Sequence, residues 1–159
     1  MAPRSRIRGW LKPDVILTGL AVFVVGSLIG VGSFTFIFAR GYSYLVDDPT
    51  ACINCHAMED QYRGWVAGSH SHAATCNDCH TPHDNLIHKY WTKAENGFWH
   101  GLMFTTDLYP ENIQIRETNE RVTNDACLYC HADVTADMRA VAGSEQVSCI
   151  ACHADVGHK

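Results

Sequence analysis

Four times in this 159-residue chain, two cysteines stand three positions apart with a histidine directly after the second. The runs are Cys52-Ile-Asn-Cys55-His56, Cys76-Asn-Asp-Cys79-His80, Cys127-Leu-Tyr-Cys130-His131 and Cys149-Ile-Ala-Cys152-His153, and together they use all eight cysteines. C-x-x-C-H is the attachment pattern of c-type haem. Each thiol can form a thioether with a porphyrin vinyl group, and the adjacent imidazole is then held within reach of the iron. Disulfides or two Cys₄ zinc sites would also consume eight thiols, but neither needs a histidine behind every pair. The expected cofactors are therefore four covalently bound haem c groups, with His56, His80, His131 and His153 as the motif ligands.

Six histidines remain: His70, His72, His83, His88, His100 and His158. An electron-transfer haem usually takes a second His or a Met on its other face, so three or four of the six are expected as distal ligands. Spacing alone does not assign them. Met58 stands two residues after His56, a tether too short to pass round to the opposite face. It either displaces His56 on the same face or packs on the porphyrin edge.

The elements that must position these groups are unevenly distributed. Val15 to Ala39 carries no charged side chain, and roughly 20 apolar residues suffice to cross a bilayer core. Aromatic residues run to its end, unlike the small-residue cleavage site of a secretory signal. The expectation is an uncleaved transmembrane signal-anchor. Arg4, Arg6, Arg8 and Lys12 precede it, which keeps the N-terminus cytoplasmic and places the rest in the periplasm of a bacterial inner membrane. Gly26 and Gly30 form a G-x-x-x-G spacing that allows helices to approach, and so an oligomer. Residues 1–40 carry a net charge of +4 and residues 41–159 one of −9. A nucleic-acid binder would need a basic body, so nucleic acid is not an expected partner.

The 119 residues after Arg40 are poor in Leu, Ile and Val, and four macrocycles would supply much of their core. The expected fold is mainly α with little regular structure: a cytoplasmic segment 1–14, a transmembrane helix 15–39 and a small tetrahaem cytochrome c domain 41–159. The longest interval without cysteine predicts an amphipathic helix from Leu86 to Phe104. Leu86, Ile87, Tyr90, Trp91, Phe98 and Leu102 share one arc at about 100° per residue. Lys89, Lys93 and His100 line one edge of that arc. Either the arc packs into the core and the basic rim is solvated, or the helix lies against haem or membrane with its basic edge facing a site.

The residues now on the page resemble the NapC/NirT family of membrane-anchored multihaem quinol dehydrogenases, most of all its small nitrite reductase subunits. The resemblance rests on the anchor followed at once by four motifs, on Tyr44-Leu45, Asp48-Pro49 and Met58, on Ser69 to His72 before Cys76, on Lys93-Ala94 with His100, and on His158 after the last motif. It implies oxidation of menaquinol at the periplasmic membrane surface, with electrons entering at the first haem and leaving to a periplasmic pentahaem cytochrome c nitrite reductase. It implies Met58 rather than His56 as ligand of the first haem, His72 and His158 as distal ligands, and a quinol site beside the first haem with Lys93 and His100 as catalytic residues. His100 lies near the open iron face, so it is either a ligand or a proton acceptor. His70, His83 and His88 receive no firm role. The alternatives are service to a different reductase, such as one for nitrate, or a pure relay without a quinol site.

Overall fold

A computed structural model describes residues 12–142 and 147–158, and every regular element among them is helical. The expected basic residues Arg4, Arg6 and Arg8 lie outside the described residues. The chain divides into two compact units, one through Tyr42 and one from Ser43 onward.

The first unit is α1, Pro13–Phe38. Pro13 opens it where a missing N–H costs no hydrogen bond, and Asp14 sits in the first turn, where an acid favours the helix dipole. Its 26 residues extend about 39 Å at 1.5 Å each, which exceeds the ~30 Å hydrocarbon core of a bilayer. No residue of α1 is buried, as expected for a helix apolar on all sides. The chain leaves it through Arg40 in the left-handed region (φ 52°). Gly41 follows, where a Cβ would lie 2.5 Å from the Phe36 ring, so only glycine admits this close approach.

The second unit opens with short 3₁₀ turns at Pro49–Asn54 and His56–Met58. Six helices follow: α2 (Glu59–Ala67), α3 (Cys76–His80), α4 (Leu86–Thr106), α5 (Glu117–His131), α6 (Ala136–Ala142) and α7 (Cys149–Cys152). The turn Pro49–Asn54 packs on α3, α3 on α5, and α5 on α7. Small residues allow the α5 contacts: Thr123 and Ala126 are its buried positions. Ala126 is the one buried apolar side chain among the described residues. Hydrogen bonds do much of the remaining work. Asp78 accepts from the Thr75 backbone N–H at 2.8 Å and fixes the start of α3. Asn124 of α5 accepts from the Cys149 N–H at 2.7 Å and holds the first residue of α7.

The predicted helix from Leu86 is α4, extended to Thr106. It ends in a Schellman arrangement, with the Leu108 N–H bonded to the Met103 carbonyl at 3.0 Å and Asp107 in the left-handed conformation. Within the polypeptide, α4 buries Thr92 and Lys93, while Ile87, Trp91 and Phe98 of its apolar arc are exposed.

Candidate functional site

Each cysteine pair sits on a single turn of helix or 3₁₀ helix, or at its end. An i, i+3 spacing there puts both thiols on one face. All eight cysteines are free of disulfides. The motifs pack in series, first on second, second on third and third on fourth. The sulfurs follow the same order, with Cys52 beside Cys76 and Cys127 beside Cys149.

Two pairs of imidazoles stand close together. His80 and His158 face each other with ring centroids 5.9 Å apart and planes 24° apart. His70 and His131 stand 6.1 Å apart. Two imidazoles held at about 2 Å on opposite sides of one iron would have centroids separated by about 6 Å. His158 Nδ1–H donates to the Gln61 carbonyl at 2.9 Å, which leaves Nε2 as the basic nitrogen. Metal-bound histidines are usually oriented by such a backbone bond. Burial, with the neighbouring His158 and His100, pushes His80 down to about 4, so its ring is neutral and its lone pair is available. Among the described residues, no three His, Cys, Asp or Glu side chains converge as a metal cage. This donor set suits a planar macrocycle with two axial positions better than tetrahedral zinc.

Other expected residues occupy less defined places. His72 is exposed, two residues beyond the His70 that faces His131. His153 is exposed at the end of α7. His56 meets the Phe104 ring edge-on at 6.1 Å, and Met58 is half-buried at the end of its turn. His83 stacks on Tyr129 at 4.2 Å and donates from Nε2 to the Asp78 carbonyl at 2.8 Å, so its ring serves packing. His88 pairs with Asp84 at 2.9 Å in the first turn of α4.

The first motif has a charged neighbour. Lys93, only 5% exposed, donates to the Val46 carbonyl at 2.9 Å and to Asp47 Oδ1 at 2.7 Å. Lys89 donates to Asp47 Oδ2 at 2.7 Å, and Asn77 of α3 to Oδ1 at 2.9 Å. Asp47 thus joins the segment before the first motif, the second motif and α4. The bonds from Lys89 and then Lys93 hold its carboxyl below the usual range. An ammonium has three donors, and Asp47 and Val46 engage two.

Tyr44 Oη lies 3.1 Å from His100 Nδ1. Burial pushes Tyr44 up to about 12, so it keeps its proton. Burial and then Arg116 push His100 down, which favours the neutral ring. Lys93 and His100, seven residues apart, are therefore on one side of α4, bonded to Asp47 and Tyr44 of the segment that leads to the first motif. Asp47 had no sequence signal, because its partners lie 30, 42 and 46 residues away.

Comparison with known proteins agrees with this layout. The cytochrome c-type protein NrfH of Wolinella succinogenes is 33% identical over 156 residues, covering 91% of this chain and 86% of that protein. The cytochrome c nitrite reductase subunit NrfH of Nitratidesulfovibrio vulgaris is 28% identical over 139 residues, covering 87% and 84%. The NapC protein of Escherichia coli is 25% identical over 177 residues, covering 94% and 86%. A crystal structure of the cytochrome c nitrite reductase NrfHA complex bound to the HQNO inhibitor superposes with a TM-score of 0.62 and 26% identity, covering 85% of this chain and 88% of that one. Residues 12–159 match the N-terminal region that defines the NapC/NirT cytochrome c family. With a match that runs from the foot of the anchor through all four motifs, the chain is a membrane-anchored member of the NapC/NirT cytochrome c family, whose paired thiols carry covalently bound haem c.

Proposed function

We propose that this chain oxidises menaquinol at the periplasmic face of the inner membrane and passes the electrons through four haems to a periplasmic pentahaem nitrite reductase. The observation that carries the reading is Lys93, buried beside the first motif with one donor uncommitted. A quinol must lose two protons and two electrons. When bound, the haems supply one-electron acceptors in series. Lys93 would orient a quinol oxygen through its third N–H. Asp47 holds that ammonium in place and compensates its charge. We assign the tautomer in which Nδ1–H of His100 donates to Tyr44, which leaves the Nε2 lone pair to take a proton. Because Tyr44 occupies Nδ1, Nε2 can serve a proton or an iron but not both, and we assign it the proton.

For the ligands, we assign His158 opposite His80 and His70 opposite His131, with Met58 on the first haem and His153 on the fourth. The N-terminus is cytoplasmic in this reading. The NrfH relatives at 33% and 28% identity favour nitrite reductase as the acceptor, and the NapC match at 25% keeps a different reductase as the second reading. Lys93→Leu tests the function directly. Menaquinol-driven haem reduction should be lost while reduction by dithionite and the haem count stay intact. Undiminished quinol-driven reduction would remove Lys93 from the mechanism.

A further inference from the structure

The positions between the two cysteines of C-x-x-C-H make none of the bonds to haem that define the motif. In the second motif the first of them is Asn77. Asparagine is a mediocre helix former, because its amide competes for nearby backbone groups. Here it stands in the first turn of α3, and the helix does not need its side chain. Asp78 fixes that end by accepting from the Thr75 N–H and hydroxyl, both at 2.8 Å. The Asn77 amide is directed instead at the segment before the first motif. Nδ2 donates to the Val46 carbonyl at 3.1 Å and to Asp47 Oδ1 at 2.9 Å. Both partners are acceptors only, so the nitrogen is the end of the amide that faces them.

These are the same two oxygens that hold Lys93. Its ammonium donates to the Val46 carbonyl at 2.9 Å and to Asp47 Oδ1 at 2.7 Å. Each oxygen thus takes one bond from the amide and one from the lysine. The three N–H groups of an ammonium are arranged tetrahedrally about one nitrogen, so the direction of the third follows from the other two. Where it points is set by where the two oxygens stand. Val46 and Asp47 lie outside any helix, so regular structure does not place them. Lys89 secures the other carboxylate oxygen, Oδ2, but Lys89 and Lys93 both belong to α4. Asn77 ties the pair of oxygens to a second helix. We infer that Asn77 is a positioning residue for quinol oxidation: from inside the second haem's attachment loop, it fixes the two oxygens that aim Lys93. The inference deepens the quinol reading given above and rests on it. An amide suits the task. It supplies two N–H groups for two oxygens, and it brings no charge to disturb the pairing of Lys93 with Asp47.

The test follows haem reduction by menaquinol at a series of concentrations, using the full, haem-loaded chain as wild type, Asn77→Ala, Asn77→Asp and Lys93→Leu. Alanine is the better helix former, so in Asn77→Ala the haem count, the low-spin spectrum and reduction by dithionite should match the wild type. The half-saturating menaquinol concentration should rise about tenfold, as expected when one hydrogen bond from a charged group is misaimed. The maximal rate should change far less. A bond with a merely structural role would lower Tm and leave half-saturation where it was. That outcome, with quinol-driven reduction lost in Lys93→Leu, would overturn the inference and spare the quinol reading. Undiminished reduction in Lys93→Leu would overturn both. If Asn77→Ala fails to take up haem, Asn77→Asp decides, because it keeps the shape of the side chain while replacing its donors. Half-saturation must rise there too, and an unchanged value would overturn the inference.

Discussion

The first haem motif and the last two are held in opposite ways. Around the first, one carboxylate gathers three donors from distant segments, and a lysine is buried to meet it. Around the third and fourth, helix packs on helix through Thr123 and Ala126, and one amide of α5 holds the start of α7. The first arrangement keeps charge and a spare donor where a substrate could use them. The second relies on helix packing and on bonds at fixed spacing, with the Glu120 carboxylate already engaged by Ser148 at 2.9 Å. In the proposed function the two ends of the series differ as an entry differs from a conduit.

That contrast can be broken, and the largest break is at Asp47. Asp47→Ala leaves the buried Lys93 ammonium without its counter-charge. Because Asp47 itself is half-exposed, we expect a loss of roughly 2 kcal/mol, read as a lowered Tm, together with a fall in quinol-driven reduction. The Asp47 carboxyl is held below its ordinary range, so its contribution is present above about pH 4. It disappears as pH falls through the lowered value. A wild-type acid unfolding curve that begins well above pH 5 and is unchanged in Asp47→Ala would show that the clamp does not matter.

The next effect is confined to single haems. His158→Ala and His70→Ala should each convert one low-spin haem to high-spin in the electronic or paramagnetic resonance spectrum, without abolishing quinol-driven entry. His72→Ala should leave the spectrum as it is. A spectral change in His72→Ala and none in His70→Ala would exchange their roles. The smallest effect belongs at the far end. Asn124→Ala removes the bond to the Cys149 N–H, and a lost cap costs about 1 kcal/mol. A modest drop in Tm with unchanged quinol kinetics would sharpen the division between entry and conduit. Slowed quinol oxidation would blur it.

Much of this was legible in the residues, for physical reasons that also mark where legibility stops. C-x-x-C-H is a local chemical requirement, so covalent haem was legible in it. The uncharged run in α1 and the 3.6-residue period of α4 are likewise local. The choice between His70 and His72 was not readable: both lie in turns between α2 and α3, where no period governs which way a side chain points. The orientation of α4 was not readable either. Periodicity defines an apolar arc, but which side is buried depended on Asp47, whose lysine partners lie more than 40 residues downstream.

The pairing of His80 with His158 also carries a consequence in time. His158 follows His80 by 78 residues, and a ribosome adding about 5–20 residues per second needs roughly 4–16 s to cover that interval. For those seconds the second motif is complete while the ring that faces it in the finished chain has yet to be made. In the proposed pairing, assembly from the N-terminus therefore cannot close the second site in order. It must wait for His158, so a nascent chain stopped before that codon would leave an early site open.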